Sequence, residues 1–349
     1  MAERGTARSA AVRVIFKGTN ITEDIRPYFK SLSYTDNEED ECDNLSLTLQ
    51  DRDGVWLESW AMEAVMGAAA SNKIAASIIR RNWGGKGEEE TLDCGEFELD
   101  SVTVSGPPSV VNLSAVSLPY AEPIRQTVLN REWEAYNLSG IAAEVAGKGG
   151  LSLSYLSETD PYFEREEQFR TSDIAFLSVL CHENGLSLKV TDGELVIFDQ
   201  PTFEAAASIG TIRRGDGSYK TYSLETGEAK TQYASCRVRY NHPDKGLIEG
   251  TFDNPDAKTA QVLEKWIRVE SESEAIDSAK ALLRLANKFE HEASFTMPGN
   301  PIYCAGMTVD LERFGAWDGK YIIRQAVHTV DGGGGYTTSI KLRKVLNGY

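Results

Sequence analysis

Four groups of polar residues have side chains that could bind a metal ion or do acid–base chemistry. The run Glu38-Glu39-Asp40-Glu41 offers carboxylates to a cation, and Asp51-Arg52-Asp53-Gly54 resembles the start of a calcium-binding loop. The second group continues Val-Trp-Leu, without further ligands at the spacing that such a loop requires. We therefore expect a turn at 51–54 and a solvated acidic loop at 38–41.

The other two groups do not have the pattern of an active site. Ser178 and His182 lie four residues apart, on one predicted packing helix, which is not a nucleophile–base arrangement. Asp331 to Tyr336 is glycine-rich, but neither Lys-Ser/Thr nor a helix follows, so a hairpin bend is expected rather than a phosphate cradle. The sequence predicts no enzyme, and no catalytic, cofactor-binding or metal-binding residue.

Composition narrows the function classes further. The 349 residues carry 53 acidic and 36 basic side chains, a net charge of -17, which opposes a general nucleic-acid grip but suits a surface past which DNA slides. No run of apolar residues is long enough to span a membrane, and we expect no secretory signal. The five cysteines have neither CxxC nor zinc spacing, and we expect free thiols in a reducing compartment. They are Cys42, Cys94, Cys181, Cys236 and Cys304.

Periodicity divides the chain into three parts, which predicts a β-rich α+β fold. Residues 1–118 read as strands, clearest where Leu45, Leu47 and Leu49 alternate with polar residues, and 60–70 could be a short helix. Residues 119–204 read as a small α+β domain. Residues 205–349 return to strands and contain one long helix.

The predicted elements of the middle and last parts are specific. One helix carries Leu138, Ile141, Ala142 and Val145, and a second begins near Thr171 or Ser172. A polar loop covers 157–168, and Asp192-Gly193 predicts a hairpin. The long helix has a capping box at Ser271 and Glu274. Its expected buried stripe is Ile276, Ala279, Leu283 and Ala286.

The two β parts end in similar segments. Residues 95–105 read GEFELDSVTVS and residues 319–329 read GKYIIRQAVHT, each with glycine, an aromatic and an aliphatic residue at matching positions. Each segment follows a strand and precedes a glycine-containing turn and another strand. Antiparallel hairpins resemble one another in general, but the shared order favours a duplicated β-barrel with the middle domain between the copies.

Long phrases of the sequence resemble the phage late control D proteins, the baseplate hub proteins of contractile-tailed phages and related injection systems. The resemblance covers nearly the whole chain and departs from the family at Met62–Asn72, which is Ala-rich where a polar turn is expected. The phrases are ITEDIRPYFKSLSYTDN, LSLTLQDRDGVWL, LDCGEFELDSVTVSGPPS, LKVTDGELVIFD, TIRRGD and WDGKYIIRQAVHTVDGGGGYTTSIKLRKV.

The resemblance implies a structural, non-enzymatic role without cofactors. Hubs of this kind carry two barrels related to the tail-tube fold, and three chains form a ring that joins the six-fold tube to the three-fold spike. The expected partners are two further copies of the chain, a separate spike protein, the tube protein and other baseplate proteins, with neither a membrane nor specific nucleic acid. The expected location is the baseplate of a virion or phage-tail-like particle, assembled in the bacterial host cytoplasm.

Two other functions stay open at this point. One is a tail module that binds glycan or peptidoglycan, for which Tyr155, Tyr162 and Phe163 would have to form a groove of exposed aromatic rings. The other is a cell-wall hydrolase, which turnover of purified peptidoglycan would establish.

Overall fold

The computed structural model describes residues 7–54, 72–118, 123–226, 233–255, 257, 259–333 and 335–346, and every structural statement below refers to these residues. The short helix expected at 60–70 lies outside them, as does all of the Ala-rich departure at Met62–Asn72 except its last residue.

The first part of the chain forms strands, as predicted. Leu45, Leu47 and Leu49 are buried on one face of their strand, and Val14 and Phe16 enter the same core. The elements are β1 (Ser9–Phe16), β2 (Thr19–Asn20), α1 (Thr22–Ile25), β3 (Phe29–Asn37), β4 (Asn44–Gln50), β5 (Lys73–Arg81), β6 (Glu89–Ser105) and β7 (Val110–Val116).

The middle part is an α/β unit with its own core, and both predicted helices are present. The predicted hairpin is also confirmed, because Asp192 and Gly193 have positive φ and join two paired strands. The polar loop expected at 157–168 is present at 157–161 and wrong from Tyr162 on, where the chain enters an exposed two-stranded ribbon that needs few apolar residues. The elements are α2 (Pro123–Gln126), β8 (Leu129–Asn137), α3 (Leu138–Lys148), β9 (Ser152–Leu156), β10 (Tyr162–Thr171), α4 (Asp173–Glu183), β11 (Leu186–Thr191), β12 (Glu194–Asp199) and α5 (Gln200–Ala205).

The last part contains strands and one long helix, as expected. Its elements are β13 (Thr211–Arg213), β14 (Thr221–Thr226), β15 (Ser235–His242), β16 (Gly246–Asp253), β17 (Val262–Trp266), α6 (Glu272–Asn287), β18 (His291–Pro298), β19 (Thr308–Glu312), a 3-10 turn (Gly315–Trp317), β20 (Gly319–Asp331) and β21 (Tyr336–Lys344).

Strands β15 to β17 pair with one another and pack on α6 around a separate small core. The Ser271 hydroxyl caps α6 by accepting from the Glu274 amide, as the capping box predicts. The expected stripe is wrong at Ile276, which is exposed, because Ala275 and Leu282 face the strands in its place. The second β part is therefore a sheet with a small unit inserted between β14 and β18.

One 13-stranded sheet runs through both β parts. Its main path is β14-β18-β21-β20-β3-β4-β7-β6-β5-β1-β2, with β19 beside β20 and β13 beside β19. The two parts meet where β20 pairs antiparallel with β3, from Gln325 opposite Asn37 to Asp331 opposite Ser31. The β-rich fold is confirmed, whereas two distinct barrels are a finer prediction that this strand order does not establish.

The two β parts share one strand order. The first is β3-β4-β7-β6-β5-β1, and the second is β14-β18-β21-β20-β19-β13, which is the same sequence of connections. In the segments that resemble each other, β6 has a bulge at Asp100 and β20 has one at the matching position, Arg324. The copies differ at one edge, because β1 pairs antiparallel with β5 while β13 pairs parallel with β19. A shared bulge at a shared position supports the repeat seen in the sequence.

Candidate functional site

The acidic run after β3 is buried in part, so the expected solvated loop is wrong at its first half. Only 4% of Glu38 is exposed, and its carboxylate accepts hydrogen bonds from Arg343 Nε at 3.1 Å and Nη2 at 2.7 Å. Arg343 lies on β21 and is fully buried. The paired guanidinium offsets the cost of burying the Glu38 carboxylate. Asp40 and Glu41, in contrast, stay at the surface.

Glu204 extends this ion pair into the middle unit and the inserted unit. Its carboxylate accepts from Arg343 Nη1 at 2.5 Å and also contacts the guanidinium of Arg284 on α6. Burial alone would lower the pKa of Arg343, but Glu38 and Glu204 outweigh it and raise that pKa above its usual range. The arginine is therefore charged in the folded protein and joins four segments: the loop after β3, α5, α6 and β21.

Glu39 and Asp40 contact the middle unit beside this cluster. Glu39 pairs with Lys288 and accepts from the Ser187 hydroxyl at 2.5 Å, while Asp40 contacts His182 Nε2 at 3.1 Å and Ser178 Oγ at 3.1 Å. Ser178 and His182 thus both bind Asp40, an arrangement that joins two units. Oxygens of Glu39 and Asp40 and a His182 nitrogen lie within 4.8 Å of one another, as metal ligands do. The ammonium of Lys288 already neutralises the negative charge of the Glu39 carboxylate.

A second buried ion pair fixes the middle unit to the first β part. Lys189 on β11 contacts Asp36 at 2.6 Å and Asp43 at 3.2 Å. Burial disfavours its charge, yet these two carboxylates raise the pKa of Lys189 above its usual value. Asp36 also accepts from the Ala305 amide at 2.8 Å, which ties the second β part to the same point.

These charged residues carried little signal in the sequence. Lys189 is the one charged residue of the strand LSLKVT, whereas Arg343 is one of three basic residues in SIKLRK. A charged residue on a covered face of a strand needs a partner. Their partners are distant in sequence: Glu38 lies 305 residues from Arg343. For Lys189, a charge inside an apolar strand was the one available sign, and it does not identify the partner.

The remaining residues considered in the sequence shape turns or lie in the folded core, and none has the surroundings of a reactive group. Residues 52–54 form a bend, and Asp331 Oδ1 accepts from the amides of Gly333 and Gly335 at 2.8 and 3.0 Å, which shapes the β20–β21 hairpin. All five cysteines are free thiols, three of them buried. Burial raises the pKa of Cys181 to about 12, so its thiol is protonated and poorly nucleophilic.

The aromatic groove required by a glycan-binding module does not form at the expected residues. Phe163 is 9% exposed and packs in the middle core, and the Tyr155 hydroxyl donates to the Thr159 carbonyl at 2.8 Å. Tyr162 is exposed, so the three rings do not share one open surface. Among the described residues, no helix has the length and apolar character to span a membrane.

Comparison with known proteins identifies relatives among tailed phages. The chain is 22% identical over 240 residues to the probable baseplate hub protein of Escherichia phage 186, and 25% identical over 238 residues to that of Escherichia phage P2. Each match spans 66% of this chain and 56% of the relative, little more than half of its length. No family model matches the chain.

A solved structure extends the likeness to nearly the whole fold. The 43 kDa tail protein of prophage MuSo2 from Shewanella oneidensis superposes with a TM-score of 0.68, at 13% identity, over 96% of this chain and 98% of that protein. At this identity the similarity shows the fold, and that fold belongs to a phage tail protein.

Proposed function

The chain belongs to the phage baseplate hub family, and from this premise we propose that three copies form a ring joining the six-fold tail tube to the three-fold spike. Residues 1–118 and 205–349 each supply one tube-like barrel, and residues 119–204 form the small domain between them. The ring has no catalytic role. Its partners are the spike, tube and other baseplate proteins, and it resides in the baseplate after assembly in the host cytoplasm.

The observation that carries this proposal is the repeated strand order together with the β20–β3 junction. Two copies of one strand order, joined edge to edge, place two similar units side by side in one chain. Three such chains supply six similar units, which matches six-fold symmetry on one side and three-fold symmetry on the other.

Charge supports the same assembly. The net charge of -17 would repel the phosphate backbone of DNA passing through the ring, so that the channel does not retain it. The buried ion pairs around Arg343 and Lys189 hold the middle unit against both β parts, so each chain would enter the ring as one body.

Electron microscopy of the chain purified with its neighbouring spike protein tests the proposal. We expect a ring with three-fold symmetry, six similar β units and a channel lined mainly by Asp and Glu. The purified chain alone serves as the control for dependence on the spike. Any other copy number, or a channel lined mainly by Lys and Arg, contradicts the proposal.

A further inference from the structure

Two of the strand edges that lack a partner strand among the described residues correspond to the two sides of the β20–β3 junction. The β5 ladder covers one edge of β6 only as far as Glu98, which leaves the outer edge of Val102–Ser105 without a strand. Strand β14 ends the sheet and pairs with β18 alone. Five of its six residues are exposed. Open edges of this kind pair readily with another strand.

The repeat shows what such edges bind. The part of β20 that matches the open segment of β6 pairs with β3, and β3 matches β14 in the shared strand order. Ala326 and His328 are fully buried at this junction, whereas their counterparts on β6, Val102 and Val104, are only half-buried. The first copy thus lacks the neighbour that the second copy has.

The ladders fix the register that a matching junction would have. In the first β part, successive cross-strand pairs connect Val102 to Leu32 through Leu113 and Leu47. In the second, they connect Ala326 to Tyr222 through Ile340 and Phe295. Because Val102 matches Ala326 in the repeat, Leu32 matches Tyr222. The pairs at the existing junction are Ala326–Asp36, Val327–Thr35, His328–Tyr34 and Thr329–Ser33. The matching pairs are Val102–Thr226, Thr103–Glu225, Val104–Leu224 and Ser105–Ser223.

Side chains at these positions fit one another. The Ser33 and Thr329 hydroxyls lie 3.4 Å apart at the existing junction, and the matching pair, Ser105 and Ser223, again has two hydroxyls. Val104 and Leu224 are half-buried apolar residues, each packed on the core of its own β part, and pairing would place them side by side.

We propose that strand β14 of one copy pairs antiparallel with the open edge of β6 in the next copy, repeating between chains the junction that β20 and β3 make within one. The partner is a second copy of this chain. The proposal rests on the proposed function, because it requires that copies assemble, and it adds the strands and the register by which they do so.

A disulfide between copies tests the register. In the variant Thr103→Cys with Glu225→Cys, adjacent residues of antiparallel strands would have Cα atoms about 4.5–5.5 Å apart, within disulfide range. Each copy would then link to the next, with its spike protein present if the ring requires it. On a denaturing, non-reducing gel we expect a shift from one chain, 38.4 kDa, to a species of three linked chains.

Matched controls separate register from chance contact. Thr103→Cys with Ser223→Cys places the second thiol two residues away on the same face, about 7–8 Å distant, and should give only the background of the wild type. Thr35→Cys with Val327→Cys uses the existing junction, and should form a bond within one chain without a change of mass.

The outcomes assign a failure to one proposal or the other. A ring seen by microscopy without the disulfide between positions 103 and 225, or with equal linking in the out-of-register control, overturns the strand junction and leaves the hub proposal intact. A chain that stays monomeric and unlinked, even with its spike protein, overturns both.

Discussion

Arg343 is the residue on which the ion pairs between units depend. Replacing it in Arg343→Met leaves Glu38 without its cation in a buried site and removes one of the two guanidinium groups on Glu204. We expect a loss of about 3–5 kcal/mol in the free energy of unfolding, the usual cost of breaking a buried pair from one side. Urea denaturation followed by circular dichroism measures it.

Arg213→Met is the matched control for this variant. Arg213 pairs with Glu312 at 2.6 Å, but the two side chains are 54% and 45% exposed. Solvent screens such a pair, so its loss should change the unfolding free energy far less than the loss of Arg343 does. Equal losses in the two variants would show that burial at Arg343 is not the source of its contribution.

His328 makes stability depend on pH. Its Nε2 donates to the Tyr303 carbonyl, and in the neutral imidazole Nδ1 accepts from the Tyr336 hydroxyl at 2.7 Å. Burial lowers the pKa of His328, although Tyr303 and Asp36 oppose the shift. The unfolded chain therefore binds a proton first, near pH 6.5. The stabilisation from the neutral imidazole is complete above that pH and is lost as the pH falls below it.

The variant His328→Val measures this pH dependence. It places at position 328 the residue type found at the matching position of β6, Val104. Between about pH 7.5 and about pH 5.5 the wild type should lose about 1 kcal/mol more unfolding free energy than the variant. The comparison of slopes matters, because the variant also loses the hydrogen bonds of the imidazole at every pH. Parallel slopes for the two proteins would contradict a neutral, buried His328.

At the scale of elements, the repeat makes Phe97 and Tyr321 equivalent. Phe97 is 3% exposed on β6 and Tyr321 is fully buried on β20. Phe97→Ala and Tyr321→Ala should each lower the unfolding free energy by about 3–5 kcal/mol, the cost of truncating a core aromatic. Thermal and urea unfolding measure both. If one is tolerated, the two positions are not equivalent in packing.

Tyr321→Phe isolates the hydroxyl from the ring. Within the described part of the chain, the Tyr321 hydroxyl is buried and has no hydrogen-bond partner. A buried polar group without a partner is unfavourable, so this variant should be as stable as the wild type or more stable by about 1 kcal/mol. A clear loss would indicate a hydrogen bond to this hydroxyl.

Sequence patterns correctly predicted the strands and helices in which apolar residues recur at the spacing of the buried face. Leu45, Leu47 and Leu49 fixed a strand, Asp192-Gly193 fixed a hairpin, and Ile141 with Val145 fixed a helix face. The same reasoning failed for β10, because an exposed ribbon has no apolar alternation to detect.

The sequence did not predict which residues distant in the chain pair with one another. The solvated loop predicted at 38–41 was wrong at Glu38 and Glu39, because the cations that neutralise them lie 305 and 249 residues away. The junction of β20 with β3 also joins residues that are 296 apart at Ser33 and Thr329. Composition and spacing describe each segment, and they do not specify which distant segment it meets.

At the scale of the molecule, the ion pairs and the continuous sheet should make unfolding cooperative. Strand β11 of the middle unit is linked to β3 through Lys189 and Asp36, and β3 is linked to β20 through their ladder. Hydrogen exchange in increasing urea, read by mass spectrometry, should show these three strands losing protection at the same urea concentration. Earlier exchange in β11 would show that the middle unit unfolds independently.

The β20–β3 ladder also gives the molecule a mechanical direction. Its hydrogen bonds run across the strands, and seven residue pairs span the junction. A load directed along β20 and β3 stretches all of these bonds together, so they must break at once. A load at right angles opens them from one end, one after another, as a zip opens. A contracting tail that drives its tip forward would therefore do least damage when its thrust runs parallel to these strands.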